Sequence, residues 1–274
     1  MKEKIDLHIH TTYSDGAFSP FEIIRMAAKK NIRTISITDH DSINAIEGAI
    51  MFGKELGITV IPGLEISTDI EDREVHILGY FIDHNSNELQ KYLSFFRDER
   101  LHRAKRIVKK LNILGLEITI EDILSKAKHS AVGRPHIANA LLEKGICKNY
   151  FEAFDKYIGD FAPAYEKKIH VSPLSALKLI SDAGGLSFVA HPGKMPEEIL
   201  KKLIDFGIDG IEVIHPSHNG DMVKYYRGIV NQYCLLESGG SDFHGGKKND
   251  EFNFGKFHVK PTVVSNMRKM LSLD

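Results

Sequence analysis

The 274-residue chain reads as an α/β protein, a β/α barrel interrupted by a helical insertion. Three observations predict it. Short β-rich apolar runs alternate with helical patterns toward both ends of the chain. Between about residues 85 and 170 only helical patterns continue. His, Asp and Glu recur where strands are expected to end, the place at which such a barrel gathers its active site.

Taken in order, Ile5-Asp6-Leu7 opens the first strand and delivers His8-Ile9-His10, with Asp15 following. Residues two apart on a strand point the same way, so both imidazoles face one side. Ser19-Pro20-Phe21-Glu22 then combines an N-cap, a proline at the first helical position and a capping-box acid, predicting a helix to about Lys30. A strand near Arg33–Thr38, a helix from about Asn44 to Leu56 stopped at Gly57, and strands near Ile58–Ile61 and Glu74–Phe81 follow. The insertion starts with a long helix, about Glu88 to Leu114, carrying seven basic and two acidic residues between Arg97 and Lys110. Helical pieces are expected around Ile120–Lys128, Arg134–Lys144 and Tyr150–Tyr157. From Ser172-Pro173 the alternation resumes, with strands at Leu186–Ala190, Gly210–Ile214 and Leu235–Glu237 separated by helices.

Composition narrows the class. With 42% hydrophobic and 27% charged residues the chain is an ordinary globular one, and a formal charge of −1 gives no basic field for long nucleic acid. No eighteen-residue apolar run and no signal-peptide pattern is present, so no membrane span is expected. Cys147 and Cys234 lie in no metal-binding spacing and read as reduced, structural thiols of a cytoplasmic protein.

The chemistry lies in His8, His10, Asp15, His40, Glu65, His76, His191, Asp242 and His244. Singly, each has an ordinary use: Asp15 or Asp242 as turn formers, Glu65 as a surface acid, His76 or His191 as core histidines. Jointly, six imidazoles and three carboxylates without a thiolate suit manganese, iron or zinc rather than a Cys-rich structural site. Nine ligands exceed what one ion takes, implying two or three ions.

The runs Asp6-Leu7-His8-Ile9-His10-Thr11-Thr12-Tyr13-Ser14-Asp15-Gly16, Ile37-Thr38-Asp39-His40-Asp41, Pro62-Gly63-Leu64-Glu65-Ile66-Ser67, Ala190-His191-Pro192-Gly193 and Gly240-Ser241-Asp242-Phe243-His244 resemble the motifs of the PHP (polymerase and histidinol phosphatase) superfamily. The resemblance spans nearly the whole chain and is strongest to stand-alone bacterial phosphoesterases. It implies a distorted (β/α)7 barrel formed by residues 1–84 and 171–274, with residues 85–170 as a helical subdomain capping the active site. It further implies one ion held by His8, His10, Glu65 and Asp242, a second by Glu65, His76 and His191, and a third by Asp15, His40 and His244. One of Asp39 and Asp41 is expected to support a ligand or cap a helix. Arg134, a planar fork for phosphate oxygens, and His218 are the expected substrate contacts. His218 is also expected to assist an ion-activated hydroxide, whereas His215 reads equally as packing. The implied reaction removes the 3′-phosphate of nucleoside 3′,5′-bisphosphates, or nucleotides from the 5′ end of short RNA. The expected partners are therefore a small phosphorylated nucleotide or a short 5′-phosphorylated RNA. The alternatives are a phosphatase for another metabolite, such as histidinol phosphate, and a non-catalytic metal- or nucleic-acid-binding module.

Overall fold

The computed structural model describes residues 3–127, 130–169, 171–246 and 248–273. The chain divides into two compact units, one of Met1–Gln90 with His170–Asp274 and one of Lys91–Ile169.

The first unit is built on seven strands: β1 (Lys4–Ile9), β2 (Ile32–Ile37), β3 (Thr59–Ile70), β4 (Arg73–Tyr80), β5 (Leu186–Val189), β6 (Gly210–Ile214) and β7 (Leu236–Gly239). They lie side by side in chain order. Pairing is parallel except where β4 runs antiparallel to both β3 and β5. The seam between β1 and β7 is bridged by single contacts, His10 N–H to Phe243 O at 3.0 Å and Ser241 N–H to Asp6 Oδ1 at 2.9 Å. The sheet is therefore a distorted (β/α)7 barrel, as expected. Gly240 belongs to this closure: a Cβ there would lie 2.6 Å from His8 Cβ and 2.8 Å from Asp6 Oδ1.

Helices α1 (Pro20–Lys29) and α2 (Ile46–Leu56) cover β1 and β2, packing Ile23, Ile24 and Ala49 against Ile9, Ile35 and Ile37. The capping box is present: Ser19 N–H donates to Glu22 Oε2 (2.8 Å) and Glu22 N–H to Ser19 Oγ (3.3 Å). Gly57 ends α2 in the left-handed region, φ 67°. On β1 both faces are buried: Ile5, Leu7 and Ile9 point to apolar layers, and alternation turns Asp6, His8 and His10 to the other side.

Two features differ from expectation, and the first positions the site. Pro62-Gly63 reads as a strand end, yet β3 continues to Ile70, because from Gly63 onward its partner is β4 (Gly63↔Tyr80 through Ile70↔Arg73). Glu65 therefore lies within a strand rather than after one, as does His8 within β1, while His76 falls inside β4 where a strand was expected. Ser67 pairs with His76 and Glu65 with Leu78, so Glu65 and His76 are diagonal neighbours on one face. The C-terminal helix (Pro261–Met270), with proline at its start, has no counterpart in the expectation.

The second unit contains most of α3 (Asn87–Ile113), with α4 (Ile120–Ala127), α5 (Arg134–Glu143) and α6 (Tyr150–Ala153), the last continuing as a π-helical turn, Phe154–Ile158. Its core gathers Ile107, Leu111, Ile118, Ile123, Ile137, Leu141 and Cys147, and no strand occurs among its described residues. Cys147 is a buried free thiol, whereas Cys234 is exposed. Lys128, His129 and His170 lie outside the described residues. Among the described residues no helix is long and apolar enough to cross a membrane.

Candidate metal centre

All nine expected ligands belong to the barrel unit, and the fold brings their donor atoms together. His8 Nε2 and His10 Nε2 are 3.1 Å apart. Both face Glu65 Oε2, at 3.3 and 3.2 Å, and Asp242 Oδ1, at 3.3 and 3.2 Å. Glu65 Oε1 faces His76 Nδ1 at 2.9 Å and His191 Nε2 at 3.0 Å, while Glu65 Oε2 faces His40 Nδ1 at 3.1 Å. Asp15 Oδ1 lies 3.2 Å from His244 Nε2 and 3.9 Å from His40 Nε2. Donors that share an ion at about 2.0–2.2 Å lie about 3–3.5 Å from one another, so these spacings suit common ions. Glu65 is central, touching donors on both sides. The compact groupings are His8-His10-Asp242, His8-Glu65-His191, His40-Glu65-His76 and His10-Asp15-His40-His244. His8, His10 and His40 are thus shared between groups more than the expected three-ion division provides.

The hydrogen-bond chemistry also fits a metal. The Nδ1 of His8 lies 2.9 Å from Glu212 Oε1, and that of His244 lies 2.8 Å from the Asp242 carbonyl. These oxygens only accept, so a proton sits on each Nδ1 and both Nε2 atoms turn toward the cluster. Burial opposes charge on His8, but Glu212, Asp242 and Glu65 outweigh it and raise the ring well above its ordinary range, so an ion at its Nε2 displaces a second proton. The Nδ1 atoms of His40 and His76 are buried beside Glu65 oxygens but make no hydrogen bond among the described residues. Burial is the largest influence on the His40 and His244 rings and holds both below their ordinary range, leaving them neutral donors. Burial also opposes charge on His10 and His76, but the surrounding carboxylates outweigh it and raise them to about 9 and about 10.

Supporting residues explain why these loops fold as they do. Asp39 accepts from Thr11 N–H (2.7 Å), Thr11 Oγ (2.6 Å) and Ser14 Oγ (2.5 Å), pinning the turn that presents Asp15. Asp41 accepts from Ser67 N–H at 3.1 Å. His191 (φ 27°) and Asp242 (φ 48°) are non-glycine residues in the left-handed region. Glu212, buried in β6, was not singled out by sequence reasoning: it accepts from His8 Nδ1 and, at 2.7 Å, from His191 N–H. The one available signal is an acid inside the apolar run Gly210-Ile211-Glu212-Val213-Ile214. Lys248 was also missed; its ammonium lies 2.6 Å from His244 Nε2 and 3.2 Å from Asp15 Oδ2.

His218, expected as a substrate contact, is engaged by backbone groups. Gly193 N–H donates to its Nε2 (3.0 Å), its Nδ1 donates to Val213 O (2.9 Å), and its ring stacks on Tyr226. Both nitrogens are committed to backbone, so the ring braces the loop after His191. His215 accepts from Ser217 N–H at Nδ1 (3.1 Å), which puts its proton on Nε2, 3.3 Å from Asp242 Oδ2. In the helical unit, Arg134 Nη1 meets Asp160 Oδ1 at 2.7 Å, and its guanidinium lies over the Phe154 and Tyr165 rings. Part of the basic face of α3 is spent inside that unit, Arg106 and Lys110 pairing with Glu166.

A barrel that aims six imidazoles and three carboxylates at one buried region defines a metal-dependent hydrolase. Residues 6–162 match the PHP domain model. A 5′-3′ exoribonuclease of Haemophilus influenzae is 32% identical over 250 residues, covering 89% of this chain and 91% of its own. A 3′,5′-nucleoside bisphosphate phosphatase of Chromobacterium violaceum is 32% identical over 247 residues, covering 88% and 87%. A crystal structure of a Bifidobacterium adolescentis protein described as a metal-dependent phosphoesterase superimposes with a TM-score of 0.84 at 29% identity, covering 97% and 96%. The chain belongs to the PHP domain family, and it is a metal-dependent phosphoesterase.

Proposed function

We propose that the protein hydrolyses the 3′-phosphate of nucleoside 3′,5′-bisphosphates and removes nucleotides from the 5′ end of short RNA, using two or three ions of manganese, iron or zinc. The observation that carries this reading is a cavity of about 290 Å³ lined by His40, His76, His191, His215, Ser217, Asp242 and Lys248. It joins the donor cluster to the Lys248 ammonium, a pairing suited to a phosphoryl group. The activities of the two relatives support the nucleotide class, and the net charge of −1 favours a short substrate over long duplexes.

His8, His10, Asp15, His40, Glu65, His76, His191, Asp242 and His244 would hold the ions. Bound divalent ions supply Lewis acidity toward phosphoryl oxygens and activate water. Glu212 keeps the His8 proton on Nδ1 and, through His191 N–H, fixes the strained loop beside it. His215 directs its Nε2 proton at Asp242 and so fixes that carboxylate's second oxygen. Arg134 is proposed as a phosphate ligand of the helical unit, for which its partner Asp160 must yield.

The test is a manganese-supplemented panel of 3′-phosphoadenosine 5′-phosphate, 5′-phosphorylated oligoribonucleotides and histidinol phosphate. Preference for the first two supports the reading, and preference for histidinol phosphate overturns it. Absence of turnover on every substrate, with metal bound, favours a non-catalytic module.

A further inference from the structure

Lys248 is the one described lysine or arginine whose side-chain nitrogen directly meets two of the nine candidate ligands. It follows the glycine pair Gly245 (φ 80°) and Gly246 (φ 89°), and Asp250 holds this segment by accepting from His244 N–H and, at 2.6 Å, from Gly246 N–H. The ammonium is 2.6 Å from His244 Nε2. Because the His244 proton is committed to the Asp242 carbonyl through Nδ1 (2.8 Å), the Nε2 atom has one lone pair and no proton. A lone pair serves one partner: it accepts from the Lys248 ammonium or it binds an ion. Asp15 is contested in the same way, with Oδ2 3.2 Å from Lys248 and Oδ1 3.2 Å from His244 Nε2. Two cations also repel at this spacing, so joint occupancy is disfavoured. The side chain is about half exposed, 51%, and so has solvent to retreat into.

We propose that Lys248 competes with a metal ion for the Asp15–His244 corner, so that the protein holds its other ions tightly and this one conditionally. The proposal rests on the metal-dependent reading above. It makes ion loading at that corner the variable step: an arriving anionic group that draws the ammonium away would admit the ion. Lys248 is thereby a determinant of metal stoichiometry, and its effect is read on metal content.

The experiment measures Mn²⁺ binding by titration calorimetry, and retained metal by elemental analysis after dialysis, for the wild type, Lys248→Met and Lys248→Arg. The expected result is one weak Mn²⁺ class in the wild type that tightens by about tenfold or more in Lys248→Met. Lys248→Arg should keep the weak class. The tight classes should be the same in all three, and circular dichroism should confirm a common fold. Unchanged affinity of the weakest class in Lys248→Met overturns the proposal while leaving the metal-dependent reading intact. Failure of the wild type to bind Mn²⁺ in any class overturns both.

Discussion

Replacing Glu212 with Gln tests whether the support beneath the cluster sets its chemistry. The carboxylate accepts from two groups at once, His8 Nδ1 at 2.9 Å and His191 N–H at 2.7 Å. A main-chain N–H can only donate, so the amide oxygen of Gln must serve His191. The amide nitrogen then faces His8 Nδ1 as a second donor. Either that contact becomes repulsive, or His8 moves its proton to Nε2 and loses the lone pair aimed at Glu65 and Asp242. A hydrogen bond to a charged acceptor contributes about 1.5–3 kcal/mol. Loss of an orienting partner typically costs about 10–100-fold in metal affinity, or about 1.4–2.8 kcal/mol. The two estimates agree, so Glu212→Gln should weaken the tightest ion by about one to two decades with little change in volume. Competition of Mn²⁺ or Zn²⁺ against a fluorescent chelator reads this directly. Wild-type affinity in Glu212→Gln would refute the tautomer argument.

Three further outcomes follow from other parts of the site. Gly240→Ala puts a methyl group against His8 Cβ and Asp6 Oδ1 at the β1–β7 seam. It should cost about 1–3 kcal/mol, and an unchanged thermal midpoint would contradict the close approach. His10 and His76 carry pKa values raised to about 9 and about 10 in the metal-free protein, so at pH 7 they hold protons that an ion must displace. Apparent metal affinity should therefore rise as pH rises, with net proton release seen in calorimetry across buffers of different ionisation enthalpy; a release of zero would sink this assignment. Arg134→Ala should mainly raise KM for the bisphosphate with a smaller change in kcat, and an unaltered KM would remove Arg134 from the substrate contacts.

The candidate ligands were legible as a group because their signals are local. His8-x-His10 needs only the two-residue period of a strand, and His191 and Asp242 stand in short motifs beside Gly193 and Gly240. The strand position of Glu65 was not, because Pro62-Gly63 looks like punctuation and only a change of partner, from β2 to β4, carries the strand on. Glu212 and Lys248 act through residues far away in sequence and carry no motif of their own. His218, a histidine near a strand end, looks available, yet both its nitrogens are engaged by the backbone of Val213 and Gly193. Side-chain commitment of that kind follows from tertiary packing, not from spacing.

The account rests on the cluster around Glu65 being a working metal centre. Its most direct test is phosphate release from 3′-phosphoadenosine 5′-phosphate by chelator-stripped wild-type protein and by His8→Ala, each before and after Mn²⁺ is restored. The wild type should be inactive when stripped and recover with Mn²⁺, while His8→Ala should bind less metal and stay inactive in both conditions. Turnover by the stripped wild type, or full activity in His8→Ala, would contradict the account.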